Sequence, residues 1–189
     1  MQVLKLTNSG MPAAWINVEQ AAIAMAKSQV TWSLGESMAL LRGGLSKSGI
    51  QSSLDVPAII AVAGAREYAR TIPLLTNRAL FRRDRHQCLY CGEVFPASKL
   101  TRDHVIPRGQ GGQDTWCNVV ASCEHCNQRK GCCTPEQAQM PLLAVPFTPN
   151  AFEAMYLSGG DILSDQLDFL QPKFSNRHWL QRDPFNGTL

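Results

Sequence analysis

The sequence predicts an α+β chain in three parts, with a small α+β module over residues 1–75, a metal-clamped segment over 76–133 and a mostly helical extension over 134–189. Three observations predict it. Alternating or β-branched apolar stretches lie beside stretches of helical period in the first part. Two Cys-x-x-Cys pairs, Cys88/Cys91 and Cys123/Cys126, enclose a polar loop in the second. In the third, leucines recur at helical spacing around Gly159-Gly160.

Taken in order, Val3–Leu6 alternates and runs into the turn residues Asn8-Ser9-Gly10, as a strand entering a turn does. Asn17 is placed to cap a helix over 18–29, on which Val18, Ala22, Met25 and Ala26 repeat at helical spacing. Residues 30–34 alternate again as a half-buried strand. The Gly/Ser-rich stretch from Gly43 to Ser53 predicts a loop. Residues 57–63 are short, apolar and β-branched, and predict a buried strand. Thr76 or Asn77 caps a short helix through Arg85 that buries Leu80 and Phe81 and turns Arg78, Arg82 and Arg85 outward. After Gly131, Thr134-Pro135-Glu136 is a helix start, because proline at the first helical position loses no hydrogen bond. Further helices are expected near 150–157 and 161–170.

At 189 residues the chain can bury a core as one domain or two small ones. No apolar run approaches the roughly 18 residues that a membrane span needs, and the first ten residues lack a charged-then-apolar leader pattern, so the expected location is the cytoplasm, with no membrane partner. Net charge is only +3, but it is unevenly distributed. Arg66, Arg70, Arg78, Arg82, Arg83 and Arg85 crowd the stretch before Cys88, whereas no Lys, Arg or His occurs between Gly131 and Pro172. That later stretch carries Glu136, Glu153, Asp161, Asp165 and Asp168. A basic middle beside an acidic tail predicts one phosphate-facing surface and one turned elsewhere.

Two Cys-x-x-Cys pairs supply the four thiolates of a tetrahedral zinc site by closing a long loop at its base. Gly92 after Cys91 suits the tight turn. Such a zinc is structural, since four thiolates leave no open position for water. Of the remaining cysteines, Cys117 reads as a free thiol, and Cys132 and Cys133 are free thiols or alternative ligands lying just past Cys126. A redox role fits poorly with two separated pairs around a polar loop. His86 and His125, beside the cysteine pairs, and His178, beside Trp179, read as surface or packing residues.

Inside the frame run Arg102-Asp103-His104-Val105-Ile106-Pro107-Arg108, then Gly111-Gly112, then Trp116-Cys117-Asn118, and the second pair continues as Cys126-Asn127-Gln128-Arg129-Lys130. With Cys-x-x-Cys-Gly, this combination resembles the HNH endonuclease family, the ββα-metal nucleases, in the form clamped by four cysteines. The resemblance covers about Asn77 to Gly131. It implies a ββα core with a structural Zn²⁺, in which Asp103 and Asn127 hold a catalytic divalent ion, His104 activates water, and Asn118 fastens the loop and orients His104.

The residue types fit that chemistry independently. Phosphodiester hydrolysis needs a base for water and positive charge at the phosphate. Histidine titrates near working pH. Where the family often ends in a histidine, this chain has Asn127, whose carbonyl oxygen pairs with Asp103 to favour a hard ion, Mg²⁺ or Mn²⁺. The expected activity is nicking or cleavage of double-stranded DNA, leaving 5′-phosphate and 3′-hydroxyl ends. Arg78, Arg82, Arg85, Arg108 and Lys130 are the expected phosphate contacts, giving salt-dependent affinity without sequence reading. Sequence preference would come from the N-terminal module or an oligomer. The competing reading is a non-catalytic, zinc-clamped nucleic-acid-binding protein; it keeps the cysteines and arginines but has no use for Asp103, His104 and Asn127 together.

Overall fold

The computed structural model describes residues 2–67 and 72–175. Arg70 and the His178-Trp179 pair lie outside the described residues. The fold is α+β and divides into two compact units, one of Met1–Thr71 with Asn150–Phe174 and one containing Ile72–Pro149. No helix among the described residues is long and apolar enough to cross a membrane.

The first unit is built on a four-stranded sheet of β1 (Val3–Leu6), β2 (Pro12–Ile16), β3 (Val30–Leu45) and β4 (Gln51–Val62), in the order β2-β1-β4-β3. The pairings of β1 with β2 and of β3 with β4 are antiparallel, and that of β1 with β4 is parallel. Strand alternation sends Leu4, Leu6, Ile59 and Ala61 into one apolar cluster and Val3, Ile60 and Val62 into another, so β1 and the end of β4 are packed on both faces while β3 is largely exposed. Helix α1 (Val18–Ala26) contributes Ala21 and Ala24 to the second cluster. Its cap is a full capping box, with Asn17 accepting from the Gln20 amide while the Gln20 side chain accepts from the Asn17 amide.

Helices α4 (Ala151–Ser158) and α5 (Ser164–Leu170) supply Met155 and Leu170 to the first cluster. They are pinned to the sheet by Trp15 Nε1, which donates to the Met155 carbonyl at 2.9 Å, and by the fully buried Gln166 amide, which donates to the Gln2 and Ala58 carbonyls. Local composition does not report this packing, because it joins residues more than a hundred positions apart.

Three expectations change. The stretch from Gly43 to Ser53 is no loop for most of its length: β3 and β4 continue to a short turn closed by the Ser46 amide on the Ile50 carbonyl, with Gly49 at φ +78°. Main-chain pairing carries the ribbon through a sequence that has no apolar alternation. Beyond Thr134 there is a single turn, in which the Ala138 amide reaches the Thr134 carbonyl, and the left-handed Gln139 (φ +53°) stops it. The acidic tail is not one surface either, since Glu153 is buried as the cap partner of Asn150 and Asp165 accepts from the Glu36 amide.

In the second unit, α2 (Asn77–Arg83) starts at a Thr76 cap, and a hairpin of β5 (Leu100–His104) and β6 (Val119–Cys123) leads directly into α3 (Glu124–Lys130). This is a ββα arrangement. The hairpin register sets Asp103 opposite Val120 and His104 opposite Val119.

Candidate active site and metal centre

Gly92 at φ +81° lets its amide return to the Cys88 carbonyl at 2.9 Å, closing the first knuckle. The second pair straddles the start of α3, where Cys123 is the cap and its sulfur accepts from the Cys126 amide at 3.4 Å. The Sγ atoms of Cys88, Cys91, Cys123 and Cys126 all lie within 4.8 Å of one another. A tetrahedron of Zn–S bonds of about 2.3 Å has edges of roughly 3.8 Å, so the cluster has the right size for zinc. Cys132 and Cys133 are exposed and stand outside this group, as does Cys117.

The thiols themselves call for a cation. Burial pushes Cys88 up, but the backbone amides of Cys91, Cys123 and Tyr90 outweigh it and bring that thiol down to about 7. Cys126 is pushed far up, first by burial and then by its Cys123 and Cys88 neighbours. Four thiolates can share this volume only with a positive ion among them.

Strand β5 carries two chemically different faces. Thr101 and Asp103, two residues apart, share the face toward α3. Asn127 Nδ2 donates to Thr101 Oγ1 at 2.9 Å, and one helical turn later Lys130 Nζ donates to Asp103 Oδ1 at 3.1 Å and to the His104 carbonyl at 2.7 Å. Asp103 Oδ2 accepts from the Tyr90 hydroxyl. Burial, followed by the carboxylate of Asp103, drives the Tyr90 phenol strongly upward, so it remains a donor. Asn127 thus faces the side of β5 that carries Asp103, with Lys130 bonded to that carboxylate.

The opposite face of β5 presents Arg102 and His104, and both meet Asp114. Arg102 Nη1 lies 2.6 Å from Asp114 Oδ2, and His104 Nε2 lies 3.0 Å from Asp114 Oδ1. Arg102 is itself anchored on Asn77 Oδ1 and the Leu75 carbonyl. Burial pushes the Asp114 carboxyl up, but the Arg102 contacts and then those of His104 together outweigh it and hold it below the usual carboxylate range. Sequence reasoning missed Asp114, since an aspartate in a polar loop carries no signal until the loop folds back.

Asn118 fastens that loop. Its Oδ1 accepts from the Ile106 amide, and its Nδ2 donates to the Ile106 and Gln113 carbonyls, all at 2.9–3.1 Å. It makes no hydrogen bond to the His104 ring; the nearest link is in the main chain, where the Val105 amide donates to the Asn118 carbonyl. The glycine pair is explained here too. Gly111 adopts φ +88°, and a Cβ on Gly112 would stand 1.7 Å from the Ile106 oxygen and 2.9 Å from Asn118 Nδ2.

Two basic residues are corrected. Lys130, expected on phosphate, is 2% exposed, and its ammonium is committed to Asp103 and His104. Arg83, counted in the basic surface, is fully buried and donates to Asp84 Oδ1 and Oδ2 and to the Trp116, Val119 and Phe147 carbonyls. Its guanidinium also lies over the Trp116 and Phe147 rings. Such cations go inside because a carboxylate and several backbone carbonyls converge there to replace water. Arg78 and Arg108 are exposed, while Arg82 and Arg85 are half-buried.

Comparison with known proteins matches residues 88–143 to a family model described as HNH endonuclease. The CRISPR-associated endonuclease Cas9 of Corynebacterium diphtheriae is 50% identical over 46 residues, covering 24% of this chain and 4% of that protein. The chain therefore spans only a small part of that relative. The match falls on the cysteine frame and the β5–β6–α3 unit just described, so the resemblance of residues 88–143 to HNH endonucleases lies on the part of the fold that carries Asp103, His104, Asn118 and Asn127.

Proposed function

We propose that this protein is a metal-dependent endonuclease that hydrolyses DNA phosphodiester bonds, with His104 as the base that takes a proton from water and Asp103 and Asn127 as ligands of a catalytic divalent ion. The observation that carries the reading is the placement of Asp103 and Asn127 on one side of β5, with His104 ending that same strand. The donor set fits a hard cation. With Nδ2 on Thr101, Asn127 has no protein partner for Oδ1 among the described residues, and each Asp103 oxygen keeps a lone pair beyond its bond to Tyr90 or Lys130. Mg²⁺ or Mn²⁺ held there would supply positive charge to the phosphate oxygens as the phosphorus becomes pentacovalent.

The protein's own groups do the remainder. Lys130 and Tyr90 fix the Asp103 carboxylate, and the four cysteines, which would hold the structural zinc, tie the start of α3 to the first knuckle and so set Asn127 on the side of β5 that carries Asp103. Arg108 and Arg78, both exposed, are the side chains offered to DNA phosphates. The products are 5′-phosphate and 3′-hydroxyl ends.

Supercoiled plasmid incubated with the zinc-loaded protein and added Mg²⁺ or Mn²⁺ tests this. Nicking that is abolished by EDTA and by His104→Ala is expected. No nicking with any metal, or near-normal nicking by His104→Ala, overturns the reading, the first outcome in favour of a binding protein.

A further inference from the structure

We propose that Asp114 is a positioning residue for His104: its carboxylate takes the proton on Nε2, so that the lone pair available to water is on Nδ1. The inference rests on the nuclease reading for its role in catalysis, but not for the geometry. His104 Nε2 has two neighbours with opposite requirements. Asp114 Oδ1, at 3.0 Å, can only accept, whereas Arg108 Nε, at 3.4 Å, can only donate. A neutral imidazole cannot satisfy both through one nitrogen. The shorter contact and the negative charge decide for Asp114, and Arg108 is left for a phosphate.

Asp114 is placed for this by more than chance proximity. Its second oxygen is held at 2.6 Å by Arg102, which is tied to Asn77 Oδ1 at 3.0 Å and to the Leu75 carbonyl at 3.2 Å. The aspartate therefore has one oxygen fixed by a charged donor and the other turned to the ring. Arg102 and His104 reach the same carboxylate because they are two residues apart on β5. Without Asp114 the ring is free to take the other tautomer, with Nε2 accepting from Arg108 and Nδ1 blocked by its own proton.

Asp114→Asn inverts the preference in a defined way. Arg102 requires the amide oxygen, which turns the Nδ2 donor toward His104 Nε2 and drives the ring proton to Nδ1. Long-range ¹H–¹⁵N spectra of the zinc-loaded full-length protein, recorded where the imidazole is neutral and assigned with His104→Ala, read the tautomer directly. The expected result is Nε2–H in the parent and Nδ1–H in Asp114→Asn. In plasmid nicking, Asp114→Asn should lower kcat by at least about 10²-fold with KM unchanged, the range in which general-base catalysis contributes. Asp114→Glu should recover part of the rate. Nδ1–H in the parent, the same tautomer in both proteins, or a parental rate in Asp114→Asn overturns the inference. If the parent cuts no DNA, the nuclease reading falls, and the spectra still decide the tautomer.

Discussion

Lys130 separates two accounts of this site, and replacing it by methionine tests them. As a phosphate contact it would be exposed, and its loss would weaken DNA binding without affecting the fold. In the structure it is 2% exposed, and its ammonium donates to a buried carboxylate and to a carbonyl at 3.1 and 2.7 Å. Lys130→Met keeps the length of the stem and removes only the charge. Asp103, itself 5% exposed, is then left with Tyr90 as its remaining side-chain partner among the described residues. Breaking one side of a buried ion pair costs about 3–5 kcal/mol, because the orphaned charge stays buried. At roughly 4–8 °C per kcal/mol for a domain of this size, the Tm of the zinc-loaded nuclease unit falls by at least about 12 °C.

The assay is a thermal melt followed by near-ultraviolet circular dichroism, with duplex DNA affinity measured by anisotropy over a salt series. Asp103→Asn combined with Lys130→Met should recover part of the loss, since the unpaired charge is gone. A melt within a degree or two of the parent, together with a salt slope reduced by about one, would refute the argument and return Lys130 to the phosphate.

Cys88→Ser removes one of four zinc ligands, and because zinc binding is coupled to folding the variant should lose its metal and melt far below the parent; one zinc per chain by elemental analysis and an unchanged melt would sink the four-cysteine assignment. Gly112→Ala puts a methyl group against the Ile106 carbonyl and the Asn118 amide, and should cost at least about 1–3 kcal/mol and slow nicking, since the loop it displaces carries Asp114. A variant with parental melt and rate would show that the loop shifts freely. Arg83→Lys keeps the charge but has three donors where five hydrogen bonds are made, so buried carbonyls lose partners and stability falls by about 3 kcal/mol or more. A loss under 1 kcal/mol in urea unfolding would show that water replaces them.

Much of the candidate site is legible in the chain because metal coordination is local. Cysteines three positions apart, followed in the first pair by a glycine, form a knuckle by backbone geometry alone, and Asn127 follows Cys126 on the helix that the second knuckle starts. The caps at Asn17 and Thr76 are legible for the same reason, since each is a contact within a few residues. The strand pairing of the Gly/Ser ribbon is not, because a main-chain ladder needs a partner strand rather than a side-chain pattern.

What the sequence determined by itself is therefore the set of ligand-type residues and their order: two pairs of cysteines, an Asp-His pair between them, and an asparagine directly after Cys126. Only the tertiary structure decided which charges work inside and which outside. Arg83 and Lys130 look like their exposed neighbours in composition, yet carbonyls and, for Lys130, a carboxylate from residues 26 to 64 positions away converge on them. Asp114 is an ordinary loop aspartate until the glycine turn and Asn118 fold its loop back onto β5, where it meets His104. The physical reason is the same in each case: the free energy of a charge depends on what replaces its water, and that is set by the fold.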